Sequence, residues 1–126
     1  MGRGQRIVLL YQLEESKEQI KEVAKKFQIQ TKTISQEMIG ETMGHLVGRK
    51  GFGATKNKVE DETMTEPMLV MDGLQGNVLN SFLKALQEAN QFVQLKAIIT
   101  PINLSWQFNK LYQAISEEDK AMRADK

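Results

Sequence analysis

The stretch IVLLY at residues 7–11 and the stretch MLVM at residues 68–71 decide the fold that this sequence predicts. Each is a short, continuous apolar run, which is typical of a central β-strand covered by other elements. Each is followed by a helical pattern and then by a weaker strand pattern. We therefore predict two strand–helix–strand units within one domain, residues 1–126.

The first unit covers residues 6–35. Its predicted helix carries four apolar residues at a spacing that places them on one face: Ile20, Val23, Ala24 and Phe27. The strand that follows, at residues 31–35, is only weakly apolar, and this indicates an edge of the sheet. The second unit covers residues 67–100, with a helix marked by Val78, Phe82, Leu86 and Ala89. A last helix is predicted over residues 103–118.

These units predict an α+β fold of the ferredoxin-like, split βαβ type. In that arrangement, a four-stranded sheet has the first and third strands at its centre, and the helices cover one face. A short linker helix and the C-terminal helix are additions to it. An open parallel α/β sheet is the alternative.

A linker joins the two units over residues 36–66. Residues 37–47 indicate a short helix, although Gly40 and Gly44 weaken that pattern. Residues 48–66 have no period; they begin basic, with Arg49 and Lys50, and end acidic. A stretch of this length without secondary structure is either functional or mobile.

Composition narrows the classes of function. The chain has 126 residues and a net charge of +1, which is too neutral for a protein that mainly coats nucleic acid. It has no cysteine, which excludes disulfides, thiolate metal sites and cysteine nucleophiles. His45 is the only histidine, so we expect no multi-histidine metal site and no cofactor. With no apolar run of membrane-spanning length, we expect a cytoplasmic protein without membrane contact.

The first candidate site is the glycine-rich run at residues 48–53. Glycines let a backbone approach an anion closely, and basic side chains supply charge. The residues concerned are Arg49, Lys50, Gly51 and Gly53. A solvated loop explains the same residues. Asp72 follows a central strand, which is a common catalytic position in α/β sheets and equally a turn signal beside Gly73.

The second candidate site is the junction between the last strand and the last helix. Free backbone N–H groups at a helix start bind anions, and Thr100, Asn103 and Ser105 add polar side chains. Helix capping by Asn103 or Ser105 is the alternative reading. Trp106 lies off the apolar stripe of the predicted helix, so it either packs on a strand end or marks a partner surface.

Residues 67–118 resemble a bacterial family of small proteins, domain of unknown function 3783. The distinctive features are the strand with Leu95-Lys96-Ala97, then Thr100-Pro101, Asn103 and Trp106. The resemblance implies a small stand-alone bacterial protein and implies no activity. It also draws attention to the residues that carry it.

Three functions are compatible with these features. We expect a non-enzymatic binding or regulatory module that forms a homodimer, because a small sheet leaves a face or an edge that needs cover. The alternative is an enzyme or binder of a phosphorylated or other anionic small molecule at the strand ends. Nucleic-acid binding ranks lowest, because only Tyr11 places an aromatic side chain on a strand. Its basic residues would be Arg3, Arg6, Arg49, Lys50, Lys56 and Lys58.

Overall fold

The computed structural model describes residues 6–56 and 58–124, so Arg3 lies outside the described residues. The elements follow the predicted order. They are β1 (Ile7–Tyr11), α1 (Lys17–Lys26), β2 (Gln30–Ile34), a 3-10 turn (Gln36–Met38), α2 (Met43–Leu46), β3 (Met68–Asp72), α3 (Asn77–Glu88), β4 (Leu95–Ile98) and α4 (Phe108–Ala124). None of the helices in this described part has the length and apolar character that a membrane span requires.

The strands form one mixed sheet in the order β2-β1-β3-β4. As predicted, the two apolar strands β1 and β3 are central, and β2 and β4 are the edges. The split arrangement of a ferredoxin-like fold is not observed, because the two strands of each unit pair directly and in parallel. An all-parallel sheet is not observed either, because β1 and β3 are antiparallel. The fold is a four-stranded α+β sheet made of two complete βαβ units.

Both faces of the sheet are covered. Alternate residues of the central strands, such as Val8 and Leu69, pack against α1 and α3 on one face. The other set, such as Leu9 and Val70, packs against α2 and α4 on the opposite face. The prediction of helices on one face therefore holds for the helices of the two units, and the added helices cover the second face.

Because β1 and β3 are antiparallel, the strands of the two units have their carboxyl ends at opposite ends of the sheet. Ile7 at the start of β1 lies beside Asp72 at the end of β3, and Tyr11 lies beside Met68. The strand-to-helix turns of the two units consequently lie at opposite ends of the sheet. Any site built on the ends of β1 and β2 is separate from one built on the ends of β3 and β4.

The last helix begins at Phe108, not at residue 103 as predicted, and extends to Ala124. Its first backbone N–H groups do not face solvent. Phe108 N donates to the carbonyl of Glu41, and Asn109 N donates to the carbonyl of Ile39. This helix start is therefore anchored to the segment before α2 and offers no free amides of the kind that bind anions.

The linker contributes residues to the core, although its sequence shows no apolar periodicity. Met64 is 1% exposed and packs on the α4 face of the sheet, and Val59 packs beside it. The predicted helix at residues 37–47 is divided into the 3-10 turn and the single turn α2. Glu41, between them, accepts hydrogen bonds from the backbone N–H groups of Thr55 and Lys56.

Candidate functional site

Arg49 and Asp72, from the two halves of the sequence, form an ion pair at the carboxyl end of β3. Nη2 of Arg49 lies 2.9 and 3.0 Å from the two carboxylate oxygens of Asp72. Asp72 is 6% exposed, whereas about half of the Arg49 side chain is exposed. A buried carboxylate needs such a partner. The Arg49 guanidinium, which the sequence suggested as part of an anion site, is therefore largely neutralised by Asp72.

The rest of the glycine-rich loop is fixed by Phe52. Its ring lies directly over Gly44 of α2, where an added Cβ would be 2.4 to 2.7 Å from ring atoms. Its carbonyl lies 3.1 Å from Nδ1 of His45. The remaining predicted residues of this loop are all exposed: Lys50, Gly51 and Gly53.

Thr100 and Asn103 form a closed turn. Oδ1 of Asn103 accepts from the N–H of Thr100, and Oγ1 of Thr100 accepts from the N–H of Asn103. Nδ2 of Asn103 donates to the carbonyl of Ile98. These bonds use both polar atoms of the Asn103 side chain, so its role in this structure is to end β4 and shape the turn.

The segment after this turn packs against α2. The backbone carbonyls of Leu104 and Trp106 accept hydrogen bonds from the N–H groups of Gly44 and Met43. Because Arg49 N also bonds to the Gly44 carbonyl, α2 brings the two predicted candidate sites side by side. Ser105, the remaining predicted residue, is exposed.

Trp106 is half-buried. It packs against the core on the α4 face, and the Lys110 ammonium lies 5.2 Å from its ring centroid. This contact with the core explains its position off the helical stripe, because the segment that carries it precedes α4.

A cavity of about 550 Å³ lies at the other end of the sheet, where β1 and β2 end. We call it the strand-end cleft. Gln12 follows β1, Gln36 and Glu37 follow β2, and the roof is the segment at residues 58–65. Of these residues, only Lys58 was named from the sequence, as a basic residue for nucleic-acid binding. Polar residues after a strand resemble any loop, and only the fold shows that they face one another.

Two tyrosines connect the cleft to the core. The Tyr11 hydroxyl donates to the carbonyl of Met64 at 2.6 Å and accepts from Nε2 of Gln36 at 2.9 Å. The Tyr112 hydroxyl accepts from the N–H of Glu66, and the two tyrosine rings lie 5.7 Å apart. Burial raises the pKa of Tyr112 above its ordinary value. These bonds attach the roof segment to the sheet and to α4.

The cleft is predominantly acidic. Its lining contains one basic residue, Lys58, against four carboxylates: Glu37, Glu60, Asp61 and Glu62. Asp61 is held in place, because it accepts bonds from Thr63 and from Nε2 of Gln113. The hydrogen bond from the Thr63 side chain holds the pKa of Asp61 below its ordinary value, so it stays ionised at neutral pH. In the described ranges, no group of three potential ligands could hold a metal ion.

Comparisons with known proteins give a family match for the second unit and most of α4. No curated protein and no solved structure is significantly similar to the chain. One family model matches residues 67–122, which include β3, α3, β4 and most of α4. Its description, domain of unknown function, assigns no activity. Residues 67–122 of this chain are therefore similar to the domain of unknown function family DUF3783.

Proposed function

We propose that this chain is a non-enzymatic binding module and that its principal ligand site is the strand-end cleft. The observation that carries the proposal is a cavity of about 550 Å³ where the parallel strands β1 and β2 end. Small-molecule sites commonly have this size, and open sheets bind ligands at the carboxyl ends of parallel strands.

The charge of the lining favours a small organic cation, such as an amine or a guanidinium compound. Four carboxylates against one ammonium group repel an anion and attract a cation. Val59 and Met64 add apolar surface that can cover the carbon chain of such a molecule. This ligand has the opposite charge to the anionic small molecule of the alternative that the sequence left open.

The Tyr11 hydroxyl beside the cleft is used for structure and not for proton transfer. It bonds to two lining residues, Gln36 and Met64, and its single proton is donated to the Met64 carbonyl. A general acid or base needs a proton that reaches the substrate. The Tyr11 proton instead holds the roof segment in place.

The test is an NMR titration with butylammonium, with butyrate as the matched probe of opposite charge. We expect saturable shifts of the Gln12 and Gln36 amides and of residues 58–65 with butylammonium only. Substituting Glu60→Gln and Glu62→Gln together should weaken this binding, whereas Glu88→Gln, on α3 outside the cleft, should not. Equal binding of butyrate in the cleft, or absence of saturable shifts there, would overturn the proposal.

Self-association through β4 is a second candidate, favoured by an apolar edge. In the parallel β3–β4 ladder, Ile99 N donates to the Met71 carbonyl, so the backbone groups of Lys96 and the N–H of Ile98 point away from β3, while the Ile98 carbonyl accepts from Asn103. Exposed apolar side chains lie in this region: Ile98 is 46% exposed and Phe92 61% exposed. A second copy can pair with such an edge and cover these side chains.

Sedimentation over a wide range of concentration tests this dimer. We expect a reversible dimer whose dissociation is promoted by Ile98→Lys. Thr33→Lys, on the opposite edge strand, is the control and should leave the equilibrium unchanged. A monomer at all concentrations, or equal effects of the two substitutions, would refute it.

A further inference from the structure

A second cavity, of about 330 Å³, lies between α3 and the edge strand β4. We call it the α3–β4 cavity. It is on the face of the sheet opposite α4 and does not share a residue with the strand-end cleft. Its size is at the lower end of the range for small-molecule sites.

The walls of this cavity are apolar. Leu69 of β3 and Leu86 of α3 are buried at its base, Val93 closes one side, and Phe92 is a largely exposed ring at its mouth. Apolar walls of this kind favour a ligand with a hydrocarbon or aromatic body.

The polar groups of the cavity are either positively charged or neutral amides. Lys84 and Lys96 contribute ammonium groups, and Asn80, Gln87 and Gln91 contribute amides. No acidic residue is among the described residues that line it. This charge is opposite to that of the strand-end cleft.

Lys96 is the group best placed to bind an anion. Its Nζ donates to the carbonyl of Val93 at 2.8 Å and lies 4.4 Å from the centroid of the Phe92 ring. An ammonium group has three N–H donors, so this single bond leaves capacity for an acceptor in the cavity. Partial burial strengthens a charge-assisted hydrogen bond formed there.

The nearest carboxylate does not neutralise this site completely. Asp119 of α4 favours the charged form of Lys96, but burial is the larger effect and lowers the pKa of Lys96 below its ordinary value. The Asp119 oxygens accept from Nε2 of Gln94 and pair with Arg123. A ligand carboxylate would therefore supply charge compensation that the lysine lacks.

We propose that the α3–β4 cavity is a binding site for a small amphipathic carboxylate, with the apolar body against Leu69, Leu86 and Phe92 and the carboxylate on Lys96. The modest volume favours a short-chain or single-ring acid. This site lies within residues 67–122, the part of the chain that matches the family model.

Titration with hexanoate, followed by amide NMR shifts, tests the proposal. We expect saturable shifts at residues 80–96 with hexanoate, and none at these residues with hexylammonium. Lys96→Met keeps the aliphatic stem and should weaken hexanoate binding by about tenfold to a hundredfold, the usual effect of losing a charge-assisted hydrogen bond. Lys96→Arg should restore most of it.

Lys110→Met is the matched control, because it removes an ammonium group from another aromatic ring, that of Trp106. It should leave hexanoate binding unchanged. A second variant, Leu83→Trp, enlarges a lining side chain, takes up space in the cavity without changing its charge and should abolish binding. Hexylammonium binding at residues 80–96, or an unchanged Kd in Lys96→Met, would overturn the proposal. Because the cleft is probed with a cation, either proposal can fail while the other stands.

Discussion

Gly44→Ala should destabilise this protein, although the same substitution in a helix normally stabilises. Gly44 lies in α2, where alanine is favoured over glycine by about 0.5–1 kcal/mol. Here, however, the new Cβ would be 2.4 to 2.7 Å from atoms of the Phe52 ring, so the ring must leave.

The expected magnitude follows from what the displaced ring loses. Phe52 is half-buried, and removing that contact costs about 1–1.5 kcal/mol, roughly half the value for a fully buried phenylalanine. The loop that carries Phe52 also carries Arg49, and weakening its pair with Asp72 adds about 1 kcal/mol. Subtracting the helix gain leaves a net destabilisation of about 1–2 kcal/mol.

The assay is urea unfolding in two backgrounds. In the wild-type protein, Gly44→Ala should lower the free energy of unfolding. In Phe52→Ala, where the ring is gone, it should raise it by about 0.5–1 kcal/mol. The change of sign is the signature of the contact. If Gly44→Ala has the same effect in both backgrounds, Phe52 does not pack on Gly44 and the reasoning is refuted.

Three further predictions concern single hydroxyl or amide groups. Tyr11→Phe leaves the Met64 carbonyl without its donor and should cost about 1–2 kcal/mol in unfolding free energy, with faster hydrogen exchange of the roof segment. Asn103→Ala should cost about 1 kcal/mol by thermal unfolding, and Asn103→Asp less, because aspartate keeps the acceptor but loses the donor to Ile98. The pKa of Tyr112 is raised in the folded protein, so the hydroxyl ionises first in the unfolded chain. Its contribution to stability is therefore retained below pH 10 and lost above it. Tyr112→Phe should reduce this alkaline loss in a pH series of unfolding midpoints.

The sequence predicted the central strands because their apolar runs reflect burial on both faces, a local property. Strand pairing is not local, so the same runs fit both a split sheet and the observed β2-β1-β3-β4 order. The start of the last helix was misplaced for a similar reason. Asn103 is a good helix cap by type, but its amide bonds to Ile98, and the helix begins only where Glu41 accepts the N–H of Phe108.

The candidate sites likewise contain residues that the sequence identified and contacts that it did not predict. Arg49 and Asp72 were both identified from residue type, but that they pair with each other depends on how the linker crosses the sheet. The strand-end cleft was missed, because Gln12 and Gln36 carry no spacing signal. Met64, which is fully buried under the cleft roof, is a single apolar residue among polar ones.

The linker's change from basic to acidic corresponds to the two ends of the sheet. Its basic start lies at the carboxyl end of β3, where Arg49 meets Asp72, and its acidic end roofs the cleft at the carboxyl end of β1. The five residues of β3 separate these ends by about 13 Å, from the rise per residue of a strand. That separation exceeds the screening length of about 8 Å at physiological ionic strength. The two ends therefore do not neutralise each other despite the near-zero net charge, and the acidic end keeps the negative field on which the proposed cation site depends.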